Sequence, residues 1–158
     1  FLGCVKRTGV TIEIQEDGVG VSAPERLLSP GKVETRPYPG FPTDLQSQFL
    51  AAMTQSKGVS VIEENIFENR FNVLKYLRLM GADITLFGNR ACINGVERLH
   101  GARVKAEDLR GGAALVIAGL AAQGDTVVEN VCLIDRGYDK LEVSLRDLGA
   151  DIARVKEV

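Results

Sequence analysis

An α/β (α+β) fold built from repeated βαβαββ units is what this sequence predicts, and three observations carry the prediction. The chain repeats itself: "LRLMGADI", ending at Ile84, returns as "LRDLGADI", ending at Ile152. Segments with helical spacing of apolar residues alternate with short β-branched runs, so helices and strands take turns along the chain. The bulk is that of an ordinary globular domain: 158 residues, 45% hydrophobic and 25% charged, enough chain for a real core.

The repeat extends backwards from those two octapeptides. "ENRF" (68–71) matches "IDRG" (134–137), "GVSVIEEN" (58–65) matches "GDTVVEN" (124–130), and "TDLQSQFLAAM" matches "EDLRGGAALVIAG". A period a little over sixty residues is too long for a common solenoid repeat and suits one supersecondary unit copied within a domain. Further upstream, "TGVTIEIQEDGVGVSAPERL" resembles "GADITLFGNRACINGVERL", paired strands followed by a shared "ERL" (25–27 and 97–99). Three units are expected, at about 1–40 (partial), 41–105 and 106–158. Because the first begins halfway and the chain opens on Phe1, the expectation is a C-terminal piece of a longer protein.

Each element has a local reason. Residues 36–49, "RPYPGFPTDLQSQF", place Pro37, Pro39 and Pro42 in one stiff loop, because proline fixes its own φ and restricts its predecessor. A helix follows, with Leu45, Phe49 and Met53 on one face and Thr43 or Asp44 as its N-cap. "GVSVIEE" and "DTVVENV" read as strands. "RFNVLKYLRLMG" and "YDKLEVSLRDLG" read as helices stopped by Gly81 and Gly149, where a left-handed residue is needed. "ADITLF" and "RACING" are strands joined by the hairpin signal "GN", and "ARVKA" leads into the next copy.

Several function classes are excluded or disfavoured. Net charge is −2 without long charged runs, so no nucleic-acid surface is suggested. Trp is absent and aromatics are few, which argues against a base-stacking platform. No apolar run reaches the ~20 residues of a membrane span, and no secretory signal pattern is present. Cys4, Cys92 and Cys132 are far apart and beside apolar, strand-like runs, which reads as small buried hydrophobes in a reduced, cytoplasmic compartment. The single histidine, His100, reads as a turn or surface residue, so no metal site is visible and no cofactor is called for.

The candidate site residues are polar at matching places in the two copies. Asp44 and Asp108 each begin a helix; Arg70 and Arg136 each follow the second strand; Arg110 lies in the first turn after Asp108. Arginines beside a helix N-terminus make an anion site for phosphate or carboxylate, with Gly111 and Gly112 letting a ligand approach the backbone. The alternative is that Arg110 and Arg136 merely pair with Asp108 and Asp135 on the surface. Asp44 is either a cap on a rigid turn or an acid held in place by it. Ile66 and Phe67 either cap the core or form a hydrophobic lip for a flat ligand ring.

Taken together, "PYPGFPTDLQSQF", "IFENRF", "GADI", "GVERLHGARVKAEDLR" and "IDRGYDKLEVSLRDLGADI" resemble the C-terminal part of the bacterial UDP-N-acetylglucosamine enolpyruvyl transferases. The resemblance runs through nearly the whole chain. It implies a two-domain enzyme, each domain three βαβαββ units in an inside-out barrel with helices inside and strands outside, of which this chain is most of one domain. It implies transfer of the enolpyruvyl group of phosphoenolpyruvate to the 3-hydroxyl of UDP-N-acetylglucosamine with release of phosphate, the first committed step of peptidoglycan precursor synthesis. By the same resemblance Asp44 is the general base on that hydroxyl. Ile66, with Phe67 beside it, contacts the nucleotide sugar, and Arg110 and Arg136 hold phosphoenolpyruvate and its departing phosphate. Asp108 orients an arginine. The expected partners are the two small-molecule substrates and the preceding part of the same polypeptide, which carries the family's lysine and reactive cysteine; alone, this chain is expected to be inactive. The readings set against this are a non-catalytic UDP-sugar-binding or interaction module and a sibling transferase with another acceptor; retention of Asp44, Arg110 and Arg136 together argues against the first.

Overall fold

The computed structural model describes residues 1–155. From the N-terminus come α1 (Leu2–Lys6), β1 (Thr11–Ile14), β2 (Val19–Ser22) and β3 (Lys32–Glu34); then a 3-10 turn (Thr43–Leu45), α2 (Gln46–Met53), β4 (Val59–Glu63), α3 (Leu74–Leu79), β5 (Asp83–Phe87) and β6 (Arg90–Asn94); then β7 (Arg103–Lys105), α4 (Leu109–Ala121), β8 (Val127–Glu129), α5 (Cys132–Asp135) and α6 (Leu141–Asp147). Two strand–helix–strand crossovers dominate. β3 and β4 pair in parallel around α2, and β7 and β8 pair in parallel around α4. β6 joins β4 and β5 antiparallel, giving the sheet order β3-β4-β6-β5, while β1 and β2 form a separate hairpin.

The two crossover helices, α2 and α4, lie inside, whereas α1 and α6 bury no residue. α2 packs directly on α4, with Leu50, Met53, Ala114 and Leu115 almost wholly buried. From the sheet side, Val33, Ile62, Ile84 and Ile93 close the same core, and Leu74, Leu77 and Met80 enter from and just after α3. β4 alternates, Ser60 and Ile62 inward and Val59 exposed, the period-two pattern of a half-buried strand. Full burial of such aliphatic side chains stabilises by roughly 1.5–3 kcal/mol each. Arg26 pins the hairpin to this body: its guanidinium donates to the carbonyls of Gln55, Ser56, Gly95 and Val96.

Most turn chemistry follows the sequence. Gly88 in the β5–β6 hairpin has φ of 57°, and Gly81 and Gly149, past α3 and α6, have φ of 95° and 94°, where a side chain would be strained. Three expectations are corrected. The opening residues form α1, so Cys4 sits on a helix. "DTVVENV" is a strand only over Val127–Glu129: Asn130, at φ of 58°, turns the chain into α5, which leaves Cys132 exposed rather than buried. And the cap foreseen at Thr43 or Asp44 is absent, because a 3-10 turn precedes α2 and neither side chain makes a capping bond. Residues 156–158, the end of the third expected unit, lie outside the described residues.

Candidate functional site

Packing α2 beside α4 brings the starts of the two crossover helices together, and with them Asp44 and Arg110. Arg110 Nε donates to Asp44 Oδ1 at 2.5 Å, and Arg70 Nη2 reaches the same oxygen at 3.4 Å. The three side chains are unequally open: Asp44 is 59% exposed, Arg110 31% and Arg70 14%. The carboxylate therefore presents itself to solvent with two cations behind it. Hydrogen bonding from Arg110 holds the Asp44 carboxyl below the usual range. Partial burial opposes this, and the charges of Arg110 and Arg70 reinforce it. The same bond to Asp44 holds the Arg110 guanidinium above its ordinary value. Arg70 also lies over the Phe67 ring, 4.7 Å from its centroid, a cation–π arrangement.

Beside Asp44 opens a cleft of about 280 Å³ lined by Arg36, Pro37, Tyr38, Pro42, Thr43, Asp44 and Ile66. The proline loop is one wall; Ile66, 38% exposed, is the other, with Phe67 outside it at 55%. These residues do not cap the core. Their backbone N–H groups donate to Glu64 Oε1, at 2.8 Å from Ile66 and 3.1 Å from Phe67. Glu64 is itself buried and also accepts from the hydroxyls of Thr35 and Thr43.

The remaining candidates separate. Asp108 caps α4, its Oδ1 accepting from the N–H groups of Arg110 and Gly111; it orients the backbone at Arg110 and makes no bond to the guanidinium. The surface pairs weighed for Arg110 and Arg136 do not form, since Arg110 bonds Asp44 and Asp135 bonds Arg154. Arg136 is exposed at the end of α5 and makes no side-chain hydrogen bond among the described residues. Gly137, next in the chain, packs on Leu109, where a Cβ would stand 2.7 Å from Cδ2; Arg136 thus lies near the start of α4 but outside the Asp44 cluster. Gly111 and Gly112 are buried, not ligand-facing. A Cβ at 112 would stand 2.7 Å from Ile134 Cγ1 and 2.9 Å from Ala106 Cβ, so this glycine serves helix packing. The small hollow beside Asp108 and Gly111, about 10 Å³, has room for a water at most.

Arg70 was a candidate from the sequence with no function assigned to it, whereas Glu64, which also belongs to the site, was not singled out. Arg70 carried a signal, its match to Arg136 across the repeat. Glu64, at the end of a strand, carried none. Among the described residues there is no cluster of three or more His, Cys, Asp or Glu able to hold a metal ion, and no helix is long and apolar enough to cross a membrane.

Known proteins resemble this chain over almost its full length. The family model described as EPSP synthase (3-phosphoshikimate 1-carboxyvinyltransferase) matches residues 1–145. A protein of Thermodesulfovibrio yellowstonii named UDP-N-acetylglucosamine 1-carboxyvinyltransferase is 51% identical, over 96% of this chain and 36% of its own length. One of the same name from Desulfofundulus thermocisternus is 55% identical, over 95% of this chain and 61% of its own. The crystal structure of the enolpyruvyl transferase NikO from Streptomyces tendae superposes with a TM-score of 0.87 at 27% identity, covering 98% of this chain and 36% of that one. The chain thus spans about a third of the Thermodesulfovibrio relative and of this solved structure.

Proposed function

The chain belongs to the EPSP synthase (3-phosphoshikimate 1-carboxyvinyltransferase) family, and from that premise we propose that it forms part of an enzyme moving the enolpyruvyl group of phosphoenolpyruvate onto the 3-hydroxyl of UDP-N-acetylglucosamine. The reading includes phosphate release, a place at the first committed step of peptidoglycan precursor synthesis, and work in the cytoplasm. It also includes the division into units at 1–40, 41–105 and 106–158, and completion of the site by a preceding part of the same polypeptide. The relatives named for this reaction support the acceptor. The observation that carries the site is Asp44, ion-paired to Arg110 and Arg70 at the mouth of a cleft walled by Ile66.

The chemistry fits those groups. As the acceptor oxygen bonds to the carbon that bears the phosphate, the hydroxyl proton must leave and the carbon–oxygen bond to phosphate must break. Asp44, fixed beside the proline loop, is placed to take that proton, and geometry is the first requirement of a base. Arg110 and Arg136 oppose the charge gathering on the departing phosphate; Arg70 shares the task for Asp44. Bonded to Arg110, Asp44 is a weak base. A phosphate that draws Arg110 to itself loosens that bond and returns basicity to the carboxylate at the moment it is needed.

The test is phosphate release from phosphoenolpyruvate plus UDP-N-acetylglucosamine. Residues 1–158 replace the matching stretch of the full-length Thermodesulfovibrio relative. Asp44→Asn should lower kcat on the order of 10²–10⁴-fold; wild-type turnover by that variant would remove Asp44 from the role of base. The 158-residue chain alone should release none.

A further inference from the structure

Glu64 is 4% exposed, and a carboxylate is costly to bury unless its lone pairs are filled. Here no cation does so: among the described residues Glu64 has no ion-pair partner. Instead four donors from three separate stretches converge on it. Thr35, just past β3, gives its hydroxyl to Oε1 at 2.8 Å, and Thr43 of the proline loop gives its own to Oε2 at 2.9 Å. The N–H groups of Ile66 and Phe67 complete the set on Oε1. The knot is tied further, since the Asn65 N–H donates to the Thr35 hydroxyl and Asn89 Nδ2 to the Glu64 carbonyl.

The placement of these donors is what matters. Thr43 is the residue before Asp44, and Ile66 is the opposite wall of the cleft. We propose that Glu64 is a positioning residue: its buried carboxylate clamps the loop carrying Asp44 to the loop carrying Ile66 and Phe67, fixing the distance between base and sugar contact. The proposal rests on the role given to Asp44 above. Glu64 does not act on substrate itself, because it does not line the cleft and its oxygens are occupied. A carboxylate suits the clamp because both its oxygens accept, and a buried acceptor leaves the four donors no competing water.

The experiment uses the same full-length chimera and four variants: Glu64→Leu, Glu64→Gln, Asp44→Asn and Asp44→Asn with Glu64→Leu. Loss of the clamp should lower kcat on the order of 10–100-fold, the penalty of a misplacement near 1 Å, and raise KM for the nucleotide sugar through the Ile66 arm. Glu64→Gln should recover most of both, since its oxygen keeps the two amide bonds and its NH₂ can donate to Thr43. The double variant should turn over no more slowly than Asp44→Asn alone, a non-additivity that a merely structural residue does not show. Wild-type kcat and KM in Glu64→Leu would overturn the proposal, as would a Glu64→Gln variant no better than Glu64→Leu. Full turnover by Asp44→Asn sinks the reading of the base and this proposal with it, and that arm alone identifies the outcome. Amide exchange on the 158-residue chain is the second readout. Glu64→Leu, or Glu64→Ala where the leucine variant does not fold, should lose protection at residues 66 and 67, whose N–H groups donate to the Glu64 carboxylate, while α4 keeps it; unchanged protection there overturns the clamp regardless of activity.

Discussion

Gly112→Ala isolates a packing role from a ligand-access role at a site where the sequence suggested the second. In an exposed helix this change stabilises, by up to about 1 kcal/mol. At 112 the new Cβ would stand 2.7 Å from Ile134 Cγ1, 3.0 Å from Ile134 Cδ1 and 2.9 Å from Ala106 Cβ. Ile134 is 3% exposed and Ala106 fully buried, so neither can swing into solvent. Overpacking of this kind costs about 1–3 kcal/mol; set against a helix gain of about 1 kcal/mol, the net loss should be about 0–2 kcal/mol. For a chain of this size each kcal/mol moves Tm by about 2–4 °C, so a drop of up to about 8 °C is expected in thermal unfolding followed by circular dichroism. Ile134→Ala supplies the decisive arm. It costs about 2–5 kcal/mol alone, but it removes the clashing carbons, so Gly112→Ala on that background should cost little or should stabilise. The same effect of Gly112→Ala on both backgrounds would refute the contact. Arg136 follows Ile134 by two residues, so on its proposed role a displaced Ile134 in Gly112→Ala should also weaken phosphoenolpyruvate binding in the full-length context.

Other outcomes follow from the same geometry. Asp44 should titrate below the usual carboxylate midpoint in carbon-detected NMR, and Arg110→Gln should move that midpoint up; no movement would mean the pair is not formed in solution. The sign for stability follows: with the folded value depressed, the pair's contribution is present above the ordinary carboxyl pKa and fades as pH falls through the folded one. Asp108→Ala should cost about 0.5–2 kcal/mol as a lost cap, whereas Asp44→Ala, which caps nothing, should cost less in urea unfolding; the reverse order would reinstate Asp44 as a cap. Leu77→Ala, at a fully buried position, should cost about 2–5 kcal/mol, measured the same way.

The fold was legible wherever a local rule decides it. The two helical stripes, the "GN" hairpin and the stop glycines 81 and 149 each act within a few residues, and each element appears at or near its expected place. α1 and α5 were not legible, since five and four residues are too few to show a helical period. The site was half legible. Repetition singled out Asp44 with Asp108 and the arginine pair 70 and 136, and the helix start at Asp108 singled out Arg110, but neither told which arginine would meet the acid. That is settled by tertiary packing across 66 and 26 residues of chain, where spacing carries no information. Glu64 was invisible for a related reason: an acid at the end of a strand reads as solvated, and only the return of two loops onto it makes a buried acceptor useful.

The two aspartates show how one pattern yields two roles. "TDL" and "EDL" both open a crossover helix behind a parallel strand, and local propensity treats them alike. At 108 the chain enters α4 directly, so the carboxylate folds back onto the N–H groups two and three residues ahead and is consumed by capping. At 44 the 3-10 turn after Pro42 takes up the helix entry, and the first turn of α2 is closed without a side chain. The freed carboxylate is left facing the neighbouring helix start, where Arg110 already stands because Asp108 has ordered its backbone. The cap in one copy therefore prepares the cation that the other copy's acid binds. Asp44 thus draws one cation, Arg70, from its own copy and the nearer one, Arg110, from the other. Asp108→Ala should accordingly weaken more than α4. With the backbone at 110 released, Arg110 should hold Asp44 less firmly, and the Asp44 titration midpoint should rise in that variant. An unshifted Asp44 midpoint in Asp108→Ala would mean that the two helix starts act independently.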